Sequence, residues 1–314
     1  MEIPGIHHVT AIAGDAQRNI DFYVGVLGLR LVKLTVNHDH PSTFHLYYGD
    51  EAGSPGSLLT FFIWPGAVRG RTGAGMAASV GLAIPPDATG YWEERLARRG
   101  FGNVRGTGRD GEEVVRFRDP DGLALDLVSH PRAGLRPAWE AGPVLPRCAV
   151  RGIHGVTFYV GRLEETGAFL TGRLGLRDAG SLDGRSRFEC GDGGPGTVVD
   201  VSGPPFLSRG AMSAGTVHHV AFRARGEAEQ RACREKIAAS GVGVTPVVDR
   251  TYFRSIYFRE PGGVLLEVAT EGPGFTIDEP LSRLGSSLKL PPTLEPIRDR
   301  LARRLPPLRL PKAA

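Results

Sequence analysis

The sequence contains few cysteines and no long apolar run. Its three cysteines, Cys148, Cys190 and Cys233, are far apart in a chain of 314 residues and form no CxxC pair. This pattern indicates buried or inert thiols in a reducing cytoplasm and argues against a disulfide framework. No apolar stretch approaches the roughly 20 residues that cross a bilayer, so we expect no membrane-spanning helix.

Clustered positive charge is also absent. The chain has 38 basic and 34 acidic residues and a formal net charge of +4, but nearly all basic residues are arginines scattered among acids. No basic run alternates with aromatic residues, so nucleic-acid binding is not expected. The first residues, Met-Glu-Ile-Pro-Gly-Ile-His, lack the charged and apolar regions of a signal peptide. This also predicts a cytoplasmic protein.

An internal repeat organises the chain. In its first copy, the hydrophobic pattern predicts a strand at 5–12, a helix at 15–26, and strands at 28–35, 43–48 and 57–64. The unit is therefore βαβββ. Three later copies share this order, and their clearest segments are a strand at 78–84, a helix at 90–99 and a hairpin at 113–128; a strand at 152–159 and a helix at 164–174; and a strand at 216–222, a helix at 227–240 and a hairpin at 255–270.

Each βαβββ module has a sheet with one face covered by its helix, so two modules side by side can form a cup. The sequence therefore predicts an α+β fold in which four modules form two eight-stranded, cup-shaped barrels. We expect a domain at 1–130 with modules one and two, a linker at 131–150, and a domain at 151–272 with modules three and four. A tail at 273–314 follows, with a short amphipathic helix predicted between residues 293 and 305.

The hairpin of module four carries a carboxylate in an apolar strand. If Pro261-Gly262-Gly263 is the turn, counting outward places Tyr257 opposite Glu267 on one face. Glu267 stands between Leu266 and Val268, and a carboxylate in such a run is costly to bury without a partner. A metal ion or a salt bridge would each supply that partner.

Three modules open with similar sequences that align without gaps: Gly5-Ile-His-His-Val, Gly152-Ile-His-Gly-Val and Thr216-Val-His-His-Val. His8 and His219 share one column with Gly155, and a second column holds His7, His154 and His218. Because neighbouring strand residues point to opposite faces, we expect one column to face the cup and the other to lie behind it or at its edge. In the hairpin column, Asp126 of module two corresponds to Glu267; opposite Arg116, it reads as half of a structural ion pair.

This organisation, with His-Val in opening strands and Gly-Gly-x-x-x-Glu in a closing strand, resembles the vicinal oxygen chelate superfamily of glyoxalase I, bleomycin-resistance proteins and extradiol ring-cleaving dioxygenases. The resemblance covers residues 5–270. It implies a metal inside a cup, held by the residue before the valine of the opening strands and by the closing-strand carboxylate. It therefore selects His8, His219 and Glu267, and two histidines with one carboxylate suit a non-haem Fe(II) oxygenase.

Within the superfamily, Gly155 distinguishes a resemblance to catechol-type enzymes from one to hydroquinone-type enzymes. Catechol-type enzymes take their ligands from modules three and four, which would need a histidine at position 155. A cup shared by modules one and four resembles the hydroquinone-type ring-cleaving dioxygenases. The segments at 31–37, 42–50, 273–280 and 290–296 extend this resemblance over nearly the whole chain. It implies Fe(II), or alternatively Mn(II), with O2 and a small aromatic diol as substrates; a homo-oligomer stays open.

The same resemblance implies roles for four further residues. Tyr257 would hydrogen-bond the substrate oxygen or support Glu267, and Arg250 would stabilise developing negative charge. His7 and His218 would support the ligands from behind or transfer protons. Each could instead be an ordinary packed polar residue, and module two weakens the case for Arg250, because Arg109 precedes Asp126 by the same interval.

Three alternatives accompany this interpretation. The histidines at 38, 40 and 45 form a rival metal cluster, but their polar surroundings favour a solvated loop. A glyoxalase-like isomerase or lyase would need a fourth ligand, against which Phe61 and Phe62 argue in the corresponding column of module one. A metal-free binding protein of the bleomycin-resistance type would need no ligand triad and is usually much shorter.

Overall fold

The computed structural model describes residues 2–203 and 208–310, and four βαβββ modules follow one another along the chain. A π-helical turn, Asp21–Val26, extends the first helix, and a two-residue strand replaces the full second strand of module four. The elements are β1 (Ile6–Ala13), α1 (Ala16–Ile20), β2 (Arg30–Val36), β3 (Phe44–Gly49) and β4 (Leu58–Ile63); β5 (Met76–Ile84), α2 (Thr89–Arg98), β6 (Asn103–Thr107), β7 (Glu113–Arg118) and β8 (Ala124–Ser129); β9 (Ile153–Tyr159), α3 (Leu163–Gly172), β10 (Arg177–Leu182), β11 (Arg185–Glu189) and β12 (Val198–Ser202); β13 (Val217–Ala224), α4 (Glu227–Ala238), β14 (Val248–Asp249), β15 (Phe253–Arg259) and β16 (Leu265–Pro273).

The strands form two eight-stranded sheets, which confirms the predicted α+β architecture. The first has the order β14-β15-β16-β13-β1-β4-β3-β2, and the second has the order β10-β11-β12-β9-β5-β8-β7-β6. In every module the first strand pairs in parallel with the last. The antiparallel pairs β1–β13 and β5–β9 then join module one to module four and module two to module three.

Each sheet therefore contains one module from either side of the linker, as the sequence analysis expected for the cup with the histidines. The predicted domains at 1–130 and 151–272 do not coincide with the two sheets, and the domain boundaries stay a prediction. The linker itself begins with a 3-10 turn, Pro131–Leu135. The end of the linker contacts module two, because the indole of Trp92 in α2 donates a hydrogen bond to the carbonyl of Cys148.

The helices cover the outer faces of the sheets and leave the inner faces to the cups. All eight residues of β1 are buried, since one face packs against apolar side chains and the other lines the cup. A continuous hydrophobic core includes residues of all four modules, with Tyr23, Trp92 and Phe222 among its fully buried members. The three cysteines are buried and free, as predicted.

The tail covers one edge of the first sheet. Strand β2 is the edge strand, and Leu34 forms a bridge with Leu288 of the tail. This protects main-chain groups that an open edge would leave unpaired. The predicted helix is present but shorter, as a 3-10 turn (Glu295–Ile297) followed by α5 (Arg298–Ala302). Among the described residues, no helix combines the length and apolar character needed to cross a bilayer.

Candidate metal centre

Two β-bulges shape the centre of the first cup. In the pairing of β1 with β13, neither His7 nor His218 has a partner residue on the opposite strand. A bulge places two residues opposite one and re-aims their side chains. Nδ1 of His7 consequently lies 2.9 Å from Nδ1 of His8, and Nδ1 of His218 lies 2.8 Å from that of His219. Within each bulge the two imidazoles therefore approach each other instead of lying on strictly opposite faces, because strict alternation holds only in an unbulged strand.

His8, His219 and Glu267 converge at the floor of the cup, and all three are buried. Oε2 of Glu267 lies 2.8 Å from Nε2 of His219 and 3.3 Å from Nε2 of His8. The two histidine nitrogens are 3.3 Å apart. Strands β1, β13 and β16 each supply one of these three side chains, so the group depends on the pairing of modules one and four.

These three residues fit a divalent metal ion. Although Oε2 of Glu267 is close to both histidines, it makes no hydrogen bond of acceptable geometry in the described structure. A buried carboxylate oxygen without a partner is costly, and a cation between the three atoms would provide that partner. Two imidazoles and one carboxylate with open positions are the ligand set that suits Fe(II) oxygenases.

The electrostatics of the cluster favour the ligating protonation states. Burial alone raises the pKa of Glu267, but the nearby imidazoles of His8 and His219 bring that pKa well below its usual range. Burial also lowers the pKa of His219, against the opposing effect of Glu267. An ionised carboxylate and a neutral imidazole are the forms that bind a metal.

The β15–β16 hairpin positions the carboxylate. Tyr257 lies opposite Glu267, as the turn at Pro261-Gly262-Gly263 predicted. Ser255, two residues earlier on the same face of β15, donates a hydrogen bond to Oε1 of Glu267. Sequence reasoning missed Ser255, although strand alternation from Tyr257 would have found it.

Arg250 acts on Tyr257 and on a loop of module one. Its Nε donates to the hydroxyl of Tyr257 at 3.0 Å, and its guanidinium lies 3.3 Å from the Asp39 carboxylate. Burial raises the pKa of Tyr257, and Glu267 raises it further, while Arg250 opposes both effects. Arg250 therefore supports Tyr257 and closes one side of the cup.

The interpretation of residues 38–45 as a solvated loop is wrong for His45. This residue lies in β3, is buried, and shares the narrow cavity at the triad, about 20 Å³, with Thr10 and His38. Its Nε2 is 3.0 Å from Oγ1 of Thr60, which is 2.8 Å from Oγ1 of Thr10. Of the three histidines, only His40 is exposed, and it alone matches the predicted solvated state.

A larger cavity of about 260 Å³ adjoins the triad. His218, Arg250 and Tyr257 line it together with the aromatic rings of Phe62 and Trp64. His7 lies instead behind His8, and its ring packs against Phe253 at 5.0 Å between centroids. The two bulged histidines thus have different surroundings: one faces a ligand-sized space and the other faces the protein.

The sheet register also aligns the closing strands of the four modules. Glu267 pairs with Ala221, the residue after the valine of the opening strand. In the other modules, the residue after the corresponding valine pairs with Thr60, Asp126 and Asp200. The column of module one therefore holds Thr60, where the sequence analysis placed Phe61 or Phe62. A threonine hydroxyl is not among the usual zinc ligands, so a glyoxalase-like isomerase, which would need a fourth protein ligand, is not favoured.

The predicted ion pair of module two is not formed. Arg116 and Asp126 are opposite each other in the register, as expected. In the described part of the chain, however, Arg116 donates to the carbonyl of Thr107 and makes no salt bridge with Asp126. The only side-chain partner of Asp126 there is the hydroxyl of Ser79, at 3.4 Å.

Comparison with known proteins assigns the family. The model of the Glyoxalase/Bleomycin resistance protein/Dioxygenase superfamily matches residues 5–127 and 152–268, which together cover all four modules. The chain belongs to this superfamily. Among its relatives is the "Putative ring-cleaving dioxygenase MhqO" of Bacillus subtilis (strain 168), which is 43% identical over 303 residues and 96% of each chain.

Two further comparisons cover nearly the whole chain. The chlorohydroquinone/hydroquinone 1,2-dioxygenase of Sphingobium indicum is 35% identical over 309 residues, or 96% of this chain and 95% of that protein. A crystal structure of a dioxygenase candidate from Bacillus subtilis subsp. subtilis str. 168 superimposes with a TM-score of 0.94, at 42% identity and 99% coverage of both chains. The likeness therefore includes the tail as well as the four modules.

Proposed function

We propose that this chain is an Fe(II)-dependent, extradiol-type ring-cleaving dioxygenase that acts on hydroquinone-type aromatic diols in the cytoplasm. The observation that carries the proposal is the convergence of His8, His219 and Glu267 at the floor of a cup, with a buried carboxylate oxygen that lacks a partner. The full-length similarity to a protein named as a hydroquinone dioxygenase supports the substrate class.

His8, His219 and Glu267 would hold the iron, with Mn(II) as the alternative ion. When bound, such an ion lowers the pKa of a phenolic hydroxyl and provides open positions for the diol and O2. Ser255 fixes the orientation of the Glu267 carboxylate through Oε1. This leaves Oε2 directed at the two histidines and keeps the ligand geometry ready before substrate arrives.

The adjoining cavity suits a para-diol. Two oxygens on opposite sides of one ring cannot both reach the same metal ion, so protein groups must hold the second hydroxyl. His218 and Arg250 line the cavity of about 260 Å³ beyond the triad, and Phe62 and Trp64 offer faces for the ring. Tyr257, held by Arg250, stands between this cavity and the triad, where it can donate a hydrogen bond to the reacting oxygen.

The metal site is tested by measuring iron and manganese in protein purified without oxygen. We expect stoichiometric Fe(II) in the native protein and its loss in His8→Ala, His219→Ala and Glu267→Ala. Asp126→Asn is the matched control, because Asp126 occupies the same column in the other sheet, and it should keep its iron. Full iron retention in His8→Ala would place the metal elsewhere.

The substrate class is tested by oxygen uptake with matched hydroquinones and catechols. We expect a higher kcat/KM for hydroquinones, and His218→Ala should reduce turnover more than it reduces iron binding. Mass spectrometry of the product identifies the bond that is cleaved. A catechol preferred by tenfold, about 1.4 kcal/mol in the transition state, would contradict the para-diol assignment while leaving the metal site intact.

A further inference from the structure

The second cup, formed by modules two and three, contains a cavity of about 300 Å³. Ser79 and Gly155 occupy the positions that correspond to His8 and His219, so the space filled by imidazoles in the first cup is open here. Gly155 cannot carry a side chain, because a Cβ there would lie 2.6 Å from the carbonyl oxygen of Val198. The opening therefore depends on the backbone path of β9 and β12.

The lining of this cavity is rich in arginine. Arg187 is neutralised by Asp200 at 2.9 Å and by Asp110. Arg109 and Arg116, in contrast, make no salt bridge within the described residues and donate only to main-chain carbonyls. Arg118 also lines the cavity and donates only to the carbonyl of Gly122, so three guanidinium groups there make no salt bridge among the described residues.

A buried histidine lies in the same cavity without a hydrogen bond. The side chain of His154 is 5% exposed, and neither of its ring nitrogens has a hydrogen-bond partner among the described residues. Oε1 of Glu112 is 3.5 Å from its Nε2, too far for a good hydrogen bond. Buried polar groups are rarely left in this state, so the ring needs a partner that enters the cavity.

We propose that the second cup binds a small hydroxy acid, with its carboxylate held by Arg109 and Arg116 and its hydroxyl held by His154. The planar guanidinium group is the side chain that best matches a carboxylate, because it can donate two parallel hydrogen bonds. A neutral imidazole offers one donor and one acceptor, which satisfies a hydroxyl in either direction. The volume matches the lower end of small-molecule pockets.

Asp126 explains why a hydroxyl is part of this assignment. Its carboxylate lines the same cavity and has only the weak contact with Ser79. An anion without a hydroxyl would lie near this carboxylate but could not donate a hydrogen bond to it. A hydroxy acid places its negative end at the arginines and offers a donor to the polar floor. The site is separate from the metal centre, so it stands independently of the proposed reaction.

The test is isothermal titration calorimetry of the metal-loaded, full-length protein with 3-hydroxybutyrate. Butyrate tests the hydroxyl and inorganic phosphate tests the anion class. We expect one site per chain and roughly tenfold weaker binding in Arg116→Gln and His154→Gln. Arg105→Gln is the charge-matched control, because Arg105 lies on the neighbouring strand and pairs with Glu93 and Glu113 outside the cavity. It should bind normally.

A second control separates the two cups. His219→Ala disrupts the metal centre and should leave 3-hydroxybutyrate binding unchanged. Circular dichroism checks that His154→Gln folds; if it does not, the exposed Arg116 carries the test. Absence of saturable binding, equal affinity for butyrate, equal affinity for phosphate, or unchanged affinity in Arg116→Gln would each overturn the proposal.

Discussion

At the scale of single residues, the geometry of the metal centre depends on side chains beside the triad. Ser255 holds one oxygen of Glu267, and the bulges bring His7 against His8 and His218 against His219. The first contact joins two paired strands, and the other two arise from the irregular register of β1 and β13. The geometry of the proposed metal site therefore depends on more residues than the three candidate ligands.

We predict that Ser255→Ala weakens metal binding by roughly 10- to 100-fold, the usual effect of losing a group that orients a ligand. Oε1 of Glu267 would lose its donor, and the carboxylate could rotate away from the histidines. The measurement is competition with a fluorescent chelator. Ser186→Ala, a buried serine of the second sheet that pairs with Ser181 at 2.8 Å, should bind metal normally. An unchanged affinity in Ser255→Ala would show that packing alone holds Glu267.

We also predict that His154 makes the protein less stable in acid. Burial lowers its pKa to about 3, with His130 and Arg187 contributing, whereas the unfolded value is near 6.5. As pH falls below 6.5 the unfolded chain binds a proton that the folded protein excludes, so stability decreases until about pH 3. At pH 5 this amounts to about 2 kcal/mol.

Urea denaturation of the native protein and His154→Gln at pH 7 and pH 5 measures this effect. The native protein should lose more stability between the two pH values than the variant does. His40→Gln, which replaces an exposed histidine, should behave as the native protein. An equal loss in His154→Gln would mean that other groups account for the acid sensitivity.

At the scale of elements, the tail is attached to β2 by a buried charge. Lys33 is fully buried in β2, and its Nζ lies 2.6 Å from Asp278 and 2.5 Å from Glu279. Arg30 of the same strand donates to the carbonyl of Leu281. These contacts, with the bridge between Leu34 and Leu288, hold residues after β16 against the edge of the first sheet.

We predict that Lys33→Met destabilises the protein by about 3 kcal/mol, because it leaves the buried carboxylate of Glu279 without its cation. The tail should also become more accessible, which limited proteolysis would show as cleavage after residue 273. Lys236→Met, at a partly exposed position of α4, is the control and should change stability little. Normal stability in Lys33→Met would indicate that the apolar contacts of the tail suffice.

At the scale of the whole molecule, both sheets are built across the linker. The pairs β1–β13 and β5–β9 join residues that are more than 70 positions apart in sequence. His8 lies in the first half of the chain, and His219 and Glu267 lie in the second. The proposed metal centre therefore depends on both halves of the chain.

We predict that fragments 1–150 and 151–314 do not bind iron separately, because each lacks part of the triad and half of both sheets. Mixed in equal amounts, they should recover iron binding if they associate through the same strand pairs. Iron content after gel filtration and circular dichroism provide the measurement. Stoichiometric iron in fragment 1–150 alone would contradict the shared cup.

Local patterns in the sequence predicted the modules and the fold, and the resemblance to a superfamily then selected the three residues that converge. Strand and helix periodicity repeat four times, and the alignment of His8 with His219 follows from those repeats. The turn at Pro261-Gly262-Gly263 correctly placed Tyr257 opposite Glu267. Gly155 indicated that modules one and four share the cup, since a glycine offers no ligand atom.

The tertiary structure alone decided which other side chains surround that group. The bulges at His7 and His218 depend on how β1 and β13 pair, and no local pattern encodes such an irregularity. His45, Asp39 and Arg250 meet because β3 and the module-four loop fold over the same cup. Arg116 turned to Thr107 instead of Asp126, since side-chain partners depend on the neighbours that the completed sheet provides.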